Sequence, residues 1–251
     1  MFIKGLLKDF VYFLLDKLLP FKANQAVILM YHSIGHQGEF FQATVQEFAK
    51  HMDYLAKNKF NVIGLSKLSA DLSQGAGLPK KTVAITFDDG YLDNYSLAWP
   101  ILKEHCFPAI IFVNTAELGQ TRMARGGHRL PLMSDKEILE MAKNGLVEFG
   151  SHCHHHVKLV NLAEPEMTEE FKQSKKALQD LLGKKPEILA YPSGRYNDSV
   201  KATAKKYFTT AVTVRPGVVK PGDDLLALKR NSVDRSVSFT QFKGLIKFGK
   251  L

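Results

Sequence analysis

The chain has 251 residues, of which 45% are hydrophobic and 24% are charged, and its formal net charge is +9. These values exclude a disordered chain and a disulfide-built fold, since Cys106 and Cys153 are the only cysteines, and they fit one large domain. The two cysteines favour a reducing compartment. The positive charge suits an anionic surface, and because no nucleic-acid-binding module is recognisable, we expect a membrane surface and no nucleic acid.

Residues 1–19 are dominated by Phe, Leu, Ile and Val. Five charged residues interrupt this pattern: Lys4, Lys8, Asp9, Asp16 and Lys17. No uncharged stretch reaches the roughly 20 residues of a membrane-spanning helix. We therefore predict an amphipathic N-terminal helix over residues 1–22, which either lies in a membrane interface or packs on its own domain.

Strand and helix patterns alternate over residues 23–238. Apolar runs predict strands at residues 26–32, 59–63, 82–87, 109–113, 146–149, 188–191, 210–214 and 226–233. Helical patterns follow the capping boxes Thr44/Glu47 and Ser134/Glu137 and occupy residues 94–104 and 168–182. This alternation predicts an α/β fold with a parallel sheet inside a layer of helices, and the number of segments allows a barrel.

Two other segments carry basic residues. Residues 119–130 are predicted to form a mobile basic loop, which either covers a substrate or is a solvated excursion. Residues 239–251 form a basic amphipathic C-terminal tail, which is either a second interfacial patch or a closing helix.

Metal-ligating side chains follow two of the predicted strands. Asp88 and Asp89 end the strand at 82–87, and His152 and His156 follow the strand at 146–149. Adjacent side chains at a strand end diverge, so one carboxylate can bind a cation while the other remains free as a base. Two imidazoles at this spacing can bind one metal ion together with a carboxylate. The combination predicts a metal-assisted hydrolase, whereas each motif alone could be a turn or a solvated loop.

These two motifs in this order resemble the polysaccharide deacetylases of carbohydrate esterase family 4, and the resemblance covers residues 26–235. It implies an irregular (β/α)7 barrel and a metal-dependent N-deacetylase. It also implies that Asp89, His152 and His156 bind Zn²⁺ or another divalent transition metal, and that Asp88 is the catalytic base.

The sequence departs from the family pattern where the catalytic acid is expected, because no histidine follows His156. The segment Leu29–Ile34 resembles the motif that carries this acid, moved to the N-terminus by circular permutation, as in the poly-N-acetylglucosamine deacetylases. First and last strands are neighbours in a closed barrel, so the permutation preserves the site. The resemblance makes His32 the general acid; alternatively, His32 merely ends a strand.

A second departure is Ala190–Gly194, which stands where the family has Arg-Pro-Pro-Tyr-Gly. The backbone N–H of Ser193 can still act as an oxyanion donor, because that role needs no particular side chain. The missing guanidinium could come from Arg230 or Arg235. We prefer Arg230 and expect Asp234 to steady the arginine; a surface role for either arginine is the alternative.

The predicted substrate is an N-acetylated glycan or a lipid-linked amino sugar. We expect a bacterial monomer that is peripheral to the cytoplasmic membrane, with the cytoplasmic face favoured over the periplasmic one. The two departures motivate a different class, a non-catalytic carbohydrate- or glycolipid-binding protein on a deacetylase scaffold.

Overall fold

Strands and helices alternate along the part of the chain that the computed structural model describes, which is residue 9 and residues 19–36, 38–124 and 126–249. The strands are Ala26–Tyr31 (β1), Asn61–Val62 (β2), Thr82–Phe87 (β3), Ala109–Val113 (β4), Thr121–Met123 (β5), Arg129–Pro131 (β6), Val147–Ser151 (β7), Ile188–Ala190 (β8), Thr210–Val212 (β9) and Asn231–Ser232 (β10). The α-helices are Val45–Lys57 (α1), Leu65–Ser73 (α2), Trp99–Glu104 (α3), Asp135–Asn144 (α4), Glu164–Leu182 (α5), Asp198–Ala204 (α6) and Phe239–Phe248 (α7).

The main sheet is parallel and has the order β10-β1-β3-β4-β7-β8-β9, with β2 added beside β3. Leu228, which leads into β10, also pairs with Val212 of β9. The segment between β9 and β1 therefore joins the two ends of the sheet and closes an irregular barrel. The first strand lies beside the last, as the permuted arrangement requires.

The strands are apolar throughout because both of their faces are buried. Alternate residues belong to different clusters: Ile28 and Ala84 pack inside the barrel with Phe112, whereas Leu29 and Ile85 pack against the outer helices. Every second residue of β3 points inward, from Ala84 through Thr86 to Asp88. The alternation of side chains along the strand therefore directs the Asp88 carboxylate toward the barrel axis.

Most predicted elements are confirmed, including both capping boxes and the limits of β3 and β4. Three expectations differ from the structure. Thr121–Met123 and Arg129–Pro131 pair as an antiparallel hairpin, β5–β6, where a loop was expected. Helix α5 begins at Glu164, before Thr168, because Pro165 is compatible with the first helical turn. Of residues 226–233 only two form a strand, since Leu225–Ala227 makes a 3-10 turn.

The C-terminal helix α7 packs on the barrel. Its residues Phe242, Leu245 and Ile246 are buried in the outer core, which favours the closing-helix alternative over an interfacial patch. The predicted N-terminal helix lies outside the described residues except for Asp9, whose carboxylate accepts hydrogen bonds from Ser238 (2.9 Å) and the Gln241 side chain (2.8 Å). Among the described residues, no helix is both long and apolar enough to cross a membrane.

His51 on α1 is buried where α7 docks. Its Nδ1 lies 3.1 Å from the Tyr31 hydroxyl, and its ring stacks on Phe242 with 3.8 Å between centroids. Burial, with a smaller effect of Lys50, lowers the pKa of His51 from 6.5 to about 3. Between these two values the unfolded chain binds a proton that the folded one does not, so acidification destabilises the fold.

We predict that His51→Phe reduces the loss of stability on acidification. The free energy of unfolding of the wild type should fall more steeply than that of the variant between pH 7 and pH 4, with a difference on the order of 2 kcal/mol at pH 4. Urea unfolding at a series of pH values measures both curves. Parallel curves over this range would show that His51 is not held neutral.

Candidate active site

The two adjacent carboxylates diverge at the end of β3. Asp88 keeps the inward direction of the strand, whereas Asp89 adopts a left-handed backbone with φ of 72°. Gly90 continues the turn with φ of 70°, and a Cβ on this residue would lie 2.7 Å from the Val113 side chain. A left-handed non-glycine residue is unfavourable and is often found where the fold enforces a functional geometry. This turn lets Asp88 and Asp89 serve different purposes.

Asp89, His152 and His156 form a cluster that could hold a metal ion, with one ligand atom from each lying within 4.8 Å of the others. The Asp89 Oδ1 atom is 3.7 Å from His152 Nε2 and 3.8 Å from His156 Nε2. Zinc bonds of about 2.0–2.2 Å allow two ligands of one ion to stand up to about 4 Å apart. Oδ1 is buried and forms an ion pair with Arg122, so it is an ionised oxygen that faces both imidazoles, and this set of donors fits a cation.

His152 is prepared to act as a neutral ligand. It is buried, and its Nδ1–H donates to the Ala190 carbonyl at 2.8 Å, which leaves Nε2 as the acceptor nitrogen facing Asp89. Burial lowers the pKa of His152 to about 4, although Asp88 and Asp89 act in the opposite direction. A neutral imidazole oriented by a backbone carbonyl is the form that binds metal.

His154 and His155 face away from this cluster. His154 Nδ1 lies 2.9 Å from the Thr115 hydroxyl, and His155 Nδ1 lies 2.7 Å from a Glu170 oxygen. They therefore shape the turn that presents His152 and His156 without facing Asp89.

Asp88 is paired with a fully buried arginine from the segment before β10, which is separated from β3 by one strand, β1. Arg230 Nη1 and Nη2 donate to the two carboxylate oxygens at 2.6 and 2.7 Å, and Nε donates to the Thr213 carbonyl at 2.9 Å. Burial raises the pKa of Asp88, but Arg230, His152 and His32 together outweigh it and keep this pKa below its usual value. Asp88 is therefore a carboxylate held in one orientation.

Arg235 does not contact Asp88. Its Nη1 donates to the Gly38 carbonyl at the surface. The expectation that Asp234 steadies the supporting arginine is wrong, because the Asp234 carboxylate accepts instead from the Ser236 backbone at 2.9 Å and the Ser236 hydroxyl at 2.6 Å. Arg230 contacts Asp88 because its side chain extends into the barrel interior, and not because an acid lies near it in the sequence.

The loop after β1 brings His32 to the same site. The Asp88 N–H donates to the Tyr31 carbonyl at 2.9 Å, so the residues that follow β1 and β3 lie side by side. The side chain of Asn94, in a π-helical turn before α3, donates to the His32 carbonyl at 2.8 Å. The backbone of this loop is therefore fixed, and His32 is held at the mouth of the barrel.

A cavity of about 350 Å³ is lined by every predicted site residue except the buried Arg230. The predicted site residues that line it are His32, Asp88, Asp89, His152, His156 and Ser193. Ser193 is left-handed, with φ of 56°, in the tight turn after β8. The exposed apolar residues Phe40, Met123 and Val214 form the rim.

Sequence reasoning missed Arg122, which the hairpin β5–β6 delivers to the metal cluster. Its Nη1 lies 2.5 Å from Asp89 Oδ1. The only signal was the basic composition of residues 119–130, which does not reveal which arginine turns inward.

A sequence model of polysaccharide deacetylases matches residues 75–212, which is more than half of the chain. The chain belongs to the polysaccharide deacetylase family. It is 33% identical over 227 residues to the Bacillus subtilis polysaccharide deacetylase YxkH, covering 90% of this chain and 77% of that protein. It is 27% identical to the poly-beta-1,6-N-acetyl-D-glucosamine N-deacetylase of Staphylococcus epidermidis, covering 92% and 86%.

Solved structures of this deacetylase family share the fold. IcaB from Ammonifex degensii superposes with a TM-score of 0.81 at 27% identity, covering 89% of this chain and 97% of that one. The Streptococcus pyogenes deacetylase PplD, in complex with acetate, gives 0.78 at 27% identity, covering 90% and 99%. The chain is thus a hydrolase of carbohydrate esterase family 4, which is metal-dependent, and the expected barrel is confirmed.

We predict that Arg230→Met destabilises the fold by about 3–5 kcal/mol, because it leaves the Asp88 carboxylate buried without a counter-charge. Arg235→Met, a matched change on the exposed arginine of the same segment, should alter stability by about 0.5 kcal/mol or less. Urea unfolding at pH 7 compares the two. Equal effects would contradict a dependence of the fold on the buried ion pair.

Proposed function

We propose that this chain hydrolyses the N-acetyl groups of a polymer of N-acetylated amino sugar, with zinc as the metal. The observation that carries the proposal is the convergence, in one cavity, of a cation-binding cluster, an oriented carboxylate and His32. Catalytic zinc sites have three protein ligands, for example two histidine nitrogens and one carboxylate oxygen, and keep a further position open for water or substrate. The polymer is the substrate class named for the Staphylococcus epidermidis relative.

Asp89, His152 and His156 would hold the metal. When bound, the ion supplies Lewis-acid polarisation of the amide carbonyl and a lower pKa for attacking water. The remaining contributions come from side chains and backbone groups that already face the cavity.

Asp88 acts as the base in this proposal. It is ionised at neutral pH, and Arg230 fixes both of its oxygens by paired hydrogen bonds, so that a proton from the attacking water is received in a defined direction. Arg230 thereby replaces the guanidinium that the family usually places where this chain has Ala190.

His32 and Ser193 act on the other two atoms of the amide. His32 donates a proton to the amine nitrogen as it leaves, since an amine is expelled as a neutral group only when protonated. The Ser193 backbone N–H donates to the carbonyl oxygen as that oxygen gains negative charge. Both residues line the cavity that contains Asp88.

A lipid-linked amino sugar is the second substrate in this class. Phe40, with 58% of its surface exposed, and Met123, with 59%, form an apolar edge around the polar site and suit the faces of sugar rings or an adjoining lipid. The family relatives favour the polymer.

The non-catalytic alternative was motivated by an absent acid and an absent arginine. The structure has His32 in the cavity and Arg230 on Asp88, so each role has a candidate. This arrangement supports an enzyme over a binding protein.

The proposal includes a monomer that associates peripherally with the cytoplasmic membrane, with the cytoplasmic face favoured. The support is the amphipathic sequence of residues 1–19 and the net charge of +9.

We predict that Asp89→Ala, Asp88→Asn and His32→Ala each lower the rate of acetate release by at least about 100-fold. The first variant loses a metal ligand, and the other two lose a proton-transfer group. Acetate release from N-acetylglucosamine oligomers of the β-1,6-linked type, and from a lipid-linked N-acetylglucosamine, measures the rates. Metal content, measured in parallel, should fall in Asp89→Ala and remain in Asp88→Asn and His32→Ala.

His155→Ala is the matched control, since this histidine lies in the same turn but faces Glu170. It should retain metal and most activity. Undiminished acetate release after exhaustive chelation, or in Asp88→Asn, would contradict the mechanism. Sugar binding without acetate release from any of these substrates would support the non-catalytic alternative.

We predict that Lys4→Glu/Lys8→Glu releases the protein from vesicles of anionic phospholipid, because it reverses the charge of the N-terminal segment. Co-sedimentation with anionic and with zwitterionic vesicles measures binding. The same double change at Lys57 and Lys67, two exposed lysines in ion pairs on the barrel, is the control. Absence of wild-type binding to either vesicle would remove the membrane proposal.

A further inference from the structure

Arg122 occupies a position between the metal cluster and a second acid. Its Nη1 lies 2.5 Å from Asp89 Oδ1, the same atom that faces His152 and His156. Its Nη2 lies 2.7 Å from a Glu117 oxygen and donates to the Asn114 side-chain oxygen at 2.8 Å. The side chain is only 18% exposed, so solvent screens these contacts weakly.

The charges around Arg122 give its contact with Asp89 an electrostatic effect on the metal cluster in addition to a structural one. Asp89 and Glu117 carry two negative charges, and the guanidinium neutralises one of them. Burial lowers the pKa of Arg122, but Asp89 and Glu117 raise it by more, so the positive charge is permanent. A divalent ion at the cluster would therefore bind Asp89 in competition with a fixed cation.

We propose that Arg122 is a positioning residue that serves as the counter-cation of the metal cluster. It stabilises the ionised Asp89 in the metal-free protein and weakens the affinity for the metal. This inference rests on the proposed metal site. A residue that merely supports a ligand would have the opposite effect, because losing such a partner typically weakens metal binding about 10–100-fold.

The position of Arg122 links the metal cluster to the walls of the cavity. Arg122 lies on β5, and the tip of the same hairpin is bound to the loop after β1 through Glu39. The Glu39 carboxylate accepts from the Gly126 N–H at 3.0 Å and lies 2.8 Å from His128 Nδ1. A Cβ on Gly126 would be 2.5 Å from Glu39 Oε1, so a larger residue here would displace the Glu39 carboxylate. The contact with Asp89 thus anchors one end of the hairpin, and Glu39 anchors the other.

Competition with a chromophoric chelator measures the zinc dissociation constant of the full chain without any turnover. We expect Arg122→Gln to lower this constant about tenfold or more, since the guanidinium then no longer offsets the negative charges of Asp89 and Glu117. Glu117→Gln should raise it, and the double variant should lie near the wild type. Arg122→Lys, which retains the charge, should also lie near the wild type, and so should Arg129→Gln, an exposed change in the same hairpin.

Thermal unfolding gives an independent readout. Arg122→Gln should lower the melting temperature of the metal-free protein, because Asp89 loses its counter-charge, and should increase the rise that zinc produces. A dissociation constant that is unchanged or higher in Arg122→Gln overturns the inference while leaving the metal site intact. If Arg122→Gln does not fold, a constant that fails to rise in Glu117→Gln overturns it. A wild-type chain that binds no zinc overturns the metal site itself.

Discussion

The ion pair between Arg230 and Asp88 is the interaction on which the site depends. Neither charge is exposed, so each would be strongly unfavourable inside the barrel without the other. The pair forms only when the segment before β10 has docked beside β1, one strand away from β3, and this docking also closes the sheet. Barrel closure and orientation of the Asp88 carboxylate therefore occur together. The ion pair fixes the direction of the carboxylate, which apolar packing alone would not do.

The charged side chains of the site neutralise one another in pairs. Two carboxylates leave adjacent residues in different directions, and each has its own guanidinium: Arg230 for Asp88 and Arg122 for Asp89. The two arginines differ in their surroundings. Arg230 is enclosed by the barrel, whereas Arg122 belongs to a hairpin at the rim. One pair is therefore a permanent part of the fold, and the other lies where a bound cation would alter it.

Features determined by local sequence could be predicted well. The limits of β3 and the capping box at Thr44 depend on neighbouring residues only. The residue types in the motifs at Asp88 and His152 by themselves indicate carboxylate and imidazole ligands for a metal. Contacts between distant segments could not be predicted. Nothing near Arg122 indicates that it meets Asp89, and the assignment of Asp234 to the arginine was wrong because nearness in sequence is not nearness across a barrel. His32 and Arg230 were named through family resemblance, not from spacing.

The place of β1 in the sheet has a consequence for biosynthesis. Its partner on one side, β10, contains Asn231, which pairs with Leu29. Strand β1 is therefore synthesised well before β10, the partner of its second edge. Until then an unpaired apolar edge is available to other nascent chains, and Asp88 faces water without Arg230. Completion of the site is consequently a late step in folding, and chaperones that shield exposed strand edges can act on β1 until β10 has docked.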